Sequence, residues 1–554
     1  MKNSPVFGTV IVVLLLISTT LSAQPRYATS GREFYIGFAQ NYLPISQPGD
    51  SMQLMILSDM KASGSIEVPA LKFLMAFSVV PGQLTTITLP SGNSGDSTVE
   101  ITGSGTVVKG MAVHVTSDSD VTIVGVNHKQ YSSDAFLAYP LKTCGSQYRA
   151  VCFGNCGALE GFPGTEAMPG EFLIASSHDS TVVTITPKAL TTDGHRIDSS
   201  FAVRLDKGDV YQVQSDLSVD AGDLTGSLIT SNNPIALYSG HARTEIPQGY
   251  KRPVDSGQSR NHVIEQLLPT DLWDTSAAIV PLANQDLQGL ARIVAGHDST
   301  RITIYHMGDT TQHFVLNAGQ YYQTAIVDNA SFITSSHPIE VAQYTHTCIS
   351  GQGVGDPAMV MMPSLTHMDT SLAIAVYDNS VFVESDVTLI LSARDSVLML
   401  DGDTRTIPTT SNLIAPIAQS GFYYVSFNLS PGEHFISMPH PFAVMTYAVG
   451  VVDAYAYSGG MPVRLHPFSD VSALPTQPLL ESRVYPNPTD GIVTIPSIAS
   501  NAHVTITDEL GRELNVAAFT MAGGQLDLSK MPSGVYLVII ETDGKRTMER
   551  VVKE

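Results

Sequence analysis

Charge is what this 554-residue chain has least of: charged residues make up 14% of it, well below the usual quarter. The shortage falls on the basic side, with 29 Lys and Arg against 51 Asp and Glu, for a net charge of -22. Phosphate-backbone binding needs clustered Lys and Arg, so nucleic acid is excluded as a partner, and docking on anionic membranes is disfavoured. Cysteine is scarce too, at four residues: Cys144, Cys152, Cys156 and Cys348. No His lies among them at zinc-finger spacing, so no metal or other cofactor is expected. In an oxidising compartment the four allow three pairings. The short Cys152–Cys156 loop is favoured, leaving Cys144 and Cys348 as the second pair.

Long apolar runs are also missing. Val10 to Ile17 is too short to span a bilayer but suits the core of a signal peptide ending near Ala23. Residues 1–23 are therefore expected to direct export, with no transmembrane span in the mature chain. The sequence holds no GxSxG elbow, HExxH pair or phosphate-binding loop, and no convincing amphipathic helix.

What is abundant is Gly, Ser and Thr around short runs of alternating hydrophobicity, the pattern of β-strands joined by tight turns. One segment recurs. Thr230-Ser231-Asn232-Asn233-Pro234-Ile235 matches Thr334-Ser335-Ser336-His337-Pro338-Ile339, with Thr116 to Val121 and Ser437 to Phe442 as looser copies. Pro234, Pro338 and Pro441 fall about a hundred residues apart. Asp179 to Ile185 likewise matches Asp298 to Ile304. The fold class is all-β, with about four repeats of roughly a hundred residues over 24–462. Packed sandwiches are the preferred arrangement, and a propeller-like ring is the alternative. The recurring segment reads as a turn, with its proline at a strand's first residue or on an edge. Residues 463–482 are proline-rich and suit a linker; 483–554 form a separate small β-sandwich.

The tail resembles the C-terminal sorting domains of type IX secretion cargo. The likeness rests on Tyr485-Pro486-Asn487-Pro488, Gly491 with Val493, Asp508 with Gly511-Arg512, and Ser533-Gly534-Val535-Tyr536. It implies an Ig-like sandwich read by the type IX translocon and removed by a sortase-type peptidase, with delivery to the outer surface or the medium. Residues 30 to 460 resemble the IgGFc-binding protein N-terminal domain family. The matching blocks are Gly31-Arg32-Glu33-Phe34, Ser133 to Pro140, Gly145 with Tyr148, and Asp223-Leu224-Thr225-Gly226. Ser239-Gly240-His241, Glu265 to Pro269 before Trp273, Gly355-Asp356-Pro357 and Gly432-Glu433-His434 complete the set. Asp274 stands where that pattern would have Gly. The resemblance implies an extracellular binding or adhesion module; a glycan or a protein is the candidate ligand.

Candidate chemistry is sparse. His128, His241 and His346 each follow a copy of the recurring segment; in a ring they could converge on a transition metal. The plainer reading, that each His bonds within its own repeat, is favoured. Asp118-Ser119-Asp120 and Asp401-Gly402-Asp403 read as turns rather than calcium loops. The Asp-Ser-Thr copies and Asp309-Thr310-Thr311 resemble acceptors for O-glycosylation, at Ser97, Ser180, Ser299 or Thr310. The tyrosines near repeat boundaries are expected to pack between strands. A binding or adhesion protein is the first expectation; a structural surface or matrix component and a secreted polysaccharide-active enzyme are the alternatives.

Overall fold

The structure is a computed structural model. It describes residues 28–42, 50–92, 98–158, 166–219, 222–248, 259–282, 289–308, 310–324, 329–347, 355–395, 397–406, 414–462, 488–495, 503–508, 514, 525–542 and 545–553. The signal-peptide region, the 463–482 linker, Ser97 and Cys348 lie outside them, as do Tyr485, Pro486, Asn487 and Gly511. The chain divides into two bodies, Met1–Leu465 and His466–Glu554.

In the first body every strand among the described residues pairs antiparallel, with one isolated parallel bridge between Phe38 and Glu100. Each of its four repeats is organised on one long strand: Val113–Lys129, Leu228–Thr244, Ser331–Tyr344 and Gly432–Gly450. Every long strand has two halves with different partners. In the second repeat, residues 228–231 pair with Gly145–Arg149 and Thr181–Thr186, whereas the half from Ile235 onward pairs with Gly170–Ser176 and Asn261–Gln266. The strand thereby passes from one face of a curled sheet to the other, and its repeat folds over an apolar filling. Leu389, Val425, Ile436 and Val444 belong to that filling in the fourth repeat.

The recurring segment lies at this crossover. It is the bend inside one continuous strand, not a turn between two, and the expected placement of its prolines is corrected accordingly. Residues 232–234, 336–338 and 438–441 stand between the two paired stretches of their strands. Proline's missing N–H therefore interrupts no ladder there. Side chains replace the lost backbone bonds. Asp118 Oδ1 accepts from Ser63 N at 2.9 Å, Asn232 Oδ1 from Val182 N at 2.7 Å, and Ser336 Oγ from Arg301 N at 2.9 Å. Short side chains carrying an acceptor are what such a bend requires.

The four repeats close into a ring. First and second share Phe34, Phe136, Leu173 and Tyr238; second and third share Phe153, Trp273, Tyr344 and Met359. Third and fourth share Ile279, Val341, Met445 and Tyr447, and fourth and first close on Tyr455, Tyr457, Met55 and Leu137. Sandwich-like repeats and ring closure thus occur together. After each long strand the chain doubles back as a short strand: Ser132–Ala138, Asn261–Gln266, Met359–Met361 and Asp453–Ser458. These four pack round the centre of the ring and are buried along their whole length.

The second body is built of Ile492–Thr494 with Gln525–Asp527, and of His503–Asp508, Gly534–Thr542 and Lys545–Lys553. The two small sheets share one core, formed by Val493, Leu526, Tyr536, Val538 and Val551. This is the small sandwich expected of the tail. The Tyr536 hydroxyl donates to Pro532 O at 2.6 Å, Pro488 is exposed, and Gly534 opens the central strand.

Candidate functional site: a polar axis and the cleft beside it

The centre of the ring is polar. Asp134, fully buried in the first axial strand, accepts four backbone N–H bonds, one from each repeat. Oδ1 takes Ala135 N at 2.9 Å and Ala456 N at 3.1 Å; Oδ2 takes Ile264 N at 3.0 Å and Met359 N at 3.3 Å. Burial pushes this carboxyl well above the usual range, and the four donors oppose that shift. Asn261 forms a second layer. Its Nδ2 donates to Ser133 O and Pro357 O at 2.7 Å and to Ala454 O at 2.8 Å, while its Oδ1 accepts Ser133 N at 2.6 Å. The Ser133 hydroxyl donates to Asp453 Oδ2 at 3.1 Å. Peptide groups that a central channel would hydrate are here satisfied by side chains.

Each of the three strand-following histidines has a hydrogen-bond partner in its own repeat, and the His128 ring also meets Tyr377 of the fourth repeat edge-on at 6.4 Å. His128 Nδ1 pairs with Ser133 Oγ at 2.6 Å, His241 Nδ1 accepts Arg243 N at 3.0 Å, and His346 Nδ1 reaches Thr347 O at 2.5 Å. Burial lowers His241 to about 3 and His262 likewise to about 3. Among the described residues no group of three metal-ligating side chains converges.

The cysteine expectation needs correction. Cys144, Cys152 and Cys156 are buried free thiols, and the Cys152–Cys156 bridge is not formed. Cys152 Sγ instead lies 3.2 Å from Glu171 O and 3.1 Å from Ser239 Oγ, inside the core of its repeat. Cys156 is held apart from it on an isolated bridge to Met168. Burial pushes the Cys144 thiol up to about 12.

The two Asp-Ser-Thr copies among the described residues, at Asp179 and Asp298, are structurally equivalent. Ser180 and Ser299 are exposed at φ of 57° and 55°, and Thr181 and Thr300 each donate a 2.7 Å bond to the carbonyl three residues back. Asp179 and Asp298 accept Lys207 N and Ala318 N, both at 3.0 Å, and so pin the facing turn. Thr310 is exposed as well. Asp118 and Asp120, in the bend of the first long strand rather than in a turn, are engaged with Ser63 and Arg32, and Asp401, in a turn, with His434 and Phe435. Tyr211, Tyr238, Tyr455 and Tyr457 are buried, and Tyr321, Tyr322, Tyr423 and Tyr424 half-buried. Asp274, the departure from the family pattern, accepts the Ser364 and Thr366 hydroxyls at 2.8 and 3.0 Å.

One open cleft, of about 620 Å³, lies between the second and third repeats, with Lys188, Ile197, Val219, Asp223, Gln320 and Tyr321 among its lining. Its floor is a buried ion pair, Arg292 Nη1 to Asp223 Oδ2 at 2.9 Å. The guanidinium lies between the rings of Phe153 and Tyr321, 4.0 and 4.6 Å from their centroids. Tyr321 donates to Asp223 Oδ2 at 3.0 Å, and Thr225 N to Oδ1 at 2.9 Å. Burial raises the Asp223 carboxyl, but the Arg292 charge and these donors more than offset it, so Asp223 sits below its ordinary value and stays ionised. Gly226 and Gly319 let the two repeats approach: a Cβ on Gly226, where φ is 86°, would fall 1.8 Å from Gly319 O. Asp223 stood out in the sequence only as part of a family block. The signal for Arg292 was a lone cation in the otherwise apolar strand Ala291–Ala295.

The cleft and three of the four axial strands fall, almost wholly, in the part of the chain that known proteins share, whereas the fourth axial strand, Asp453–Ser458, lies beyond it. The profile described as IgGFc binding protein matches residues 134–448, more than half the chain, beginning at Asp134 itself. The chain belongs to the IgGFc-binding protein family. The human IgGFc-binding protein is 27% identical over 358 residues, covering 63% of this family member and 6% of the human protein. This chain therefore spans a small fraction of that relative's length. Residues 483–554 match the secretion system C-terminal sorting domain, which indicates export to the cell surface or extracellular space. No described helix is long and apolar enough to cross a membrane.

Proposed function

We propose that this exported family member is a cell-surface or secreted binding protein of the adhesion type, not an enzyme. The observation that carries the reading is the closed ring. Four repeats locked through Asp134 and Asn261 make a body that holds the clefts and loops at its repeat boundaries in fixed relative positions. Ordering such surfaces in advance reduces the entropy lost on binding. Family membership supports the same reading. A glycan and host-protein array with the purified chain tests it: saturable binding to one ligand class is expected, and silence from a stable monomer would overturn it.

A structural surface or matrix role is the second reading, favoured by apolar residues left exposed on several strands. Leu74 is 72% exposed, Val383 63% and Val315 58%. Growth into assemblies under light scattering, together with a silent array, would select it. The tail's contribution is to engage the type IX translocon and a sortase-type peptidase; deleting residues 483–554 should retain the chain in the periplasm. Exposed Ser180, Ser299 and Thr310 are proposed O-glycan acceptors, and intact mass equal to the bare polypeptide would exclude them.

A further inference from the structure

The cleft between the second and third repeats combines two features that a ligand must match together. Its fixed charges are already paired: Asp223 with Arg292 at 2.9 Å, and Lys188 with Asp198 at 2.8 Å. An ionic ligand would have to break one of these pairs, so the cleft offers little to a free anion or cation. What it offers is hydrogen bonding beside apolar surface. Asp223 Oδ1 accepts one backbone N–H and has lone-pair capacity left, and Asp223 retains 13% side-chain exposure. Gln320 is exposed. Its Oε1 accepts Asn317 N at 2.8 Å, and its NH₂ has no protein partner among the described residues. Around these polar groups stand Ile197, 55% exposed, Val219, 38% exposed, and the half-buried ring of Tyr321, stiffened from behind by the Arg292 guanidinium.

We propose that this cleft is a binding site for a neutral sugar ring. A pyranose has the required duality: hydroxyls that donate to a carboxylate and accept from an amide, and a C–H face that covers aromatic and aliphatic surface. Pairing with Arg292 keeps Asp223 ionised in a partly desolvated place, so it remains a strong acceptor for a sugar hydroxyl. The cleft is shallow and open, which suits the end or one residue of a longer glycan. The proposal rests on the binding reading above and names its ligand class.

The test is saturation-transfer NMR on the full chain with neutral free oligosaccharides containing hexose and N-acetylhexosamine. Transfer to the ring C–H protons of one sugar residue is expected. Affinity should fall at least tenfold in the double variant Gln320→Ala/Ile197→Asp, whose positions are exposed and whose melting temperature should be unchanged. Leu74→Ser, on an outer strand of the first repeat, should bind as the parent does. Undiminished binding by the double variant would overturn the cleft as the site while leaving the adhesion reading intact. No oligosaccharide binding, with a protein ligand captured on the array, would overturn the sugar and keep the adhesion reading; silence in both would overturn both.

Discussion

The axial strand Ser132–Ala138 and the outer strand Thr311–Leu316 differ far more in burial than in composition. The first reads SSDAFLA and is buried at every residue; the second reads TQHFVL and leaves alternate residues exposed, Val315 at 58%. Apolar content barely separates them, four residues of seven against three of six. What separates them is the number of neighbours. The outer strand pairs on one side only, with Thr300–Tyr305, whereas the axial strand is enclosed by elements of all four repeats. Inside the ring a polar side chain is stabilising as long as every donor and acceptor around it is matched.

That contrast can be broken most severely at Asp134. Asp134→Asn would turn an NH₂ toward two backbone donors, and a loss of about 3 kcal/mol or more is expected in urea unfolding. Asn261→Ala removes bonds to the first, third and fourth repeats and should cost about 2–3 kcal/mol by the same measurement. Acid sharpens the comparison through the histidines. His241 and His262 are held near 3 when folded and titrate near 6.5 when unfolded, so the unfolded state binds more protons between those values. The contribution of the two histidines should be complete above pH 6.5 and be lost below it, by up to about 1.4 kcal/mol per pH unit for each. Buried Glu340, raised to about 8 by desolvation and then by Asp274, has the opposite slope. It retains its proton when folded, so stability should decline from about pH 4.5 to 8, and Glu340→Gln should gain about 1–2 kcal/mol at pH 7.5 and almost nothing at pH 4. The smallest effect belongs to the outer strand, where Val315→Thr should stay within about 0.5 kcal/mol.

Strand periodicity, the number of repeats and the sorting tail were legible because each depends on local pattern: alternation, a recurring segment and a run of short motifs. The role of that segment was not. Thr-Ser-Asn-Asn-Pro has the composition of a turn, and only the change of partners along Leu228–Thr244 makes it a bend within a strand. Ring closure, which the sequence offered only as the alternative, was not decided by local pattern, since it depends on the core that Tyr455 and Tyr457 share with Met55 and Leu137, about three to four hundred residues earlier in the chain. Ser133-Asp134-Ala135 was visible as a family block, but nothing local shows that its carboxylate receives N–H groups from three other repeats. The Cys152–Cys156 expectation failed for a related reason. Short spacing makes a bridge possible, but Cys152 is drawn into its repeat's core beside Ser239.

Closure also removes the ends. A linear stack of repeats has a first and a last member, each needing a polar cover, and tolerates gain or loss of a member in between. Here every repeat has two neighbours, and every shared core is a party wall. Deleting one repeat would expose two such walls at once, and inserting a fifth would pull the Asp134 carboxylate out of reach of the amides it holds. The repeat number is therefore set by the reach of one carboxylate, and the chain can diversify its outer loops freely only while it continues to count to four.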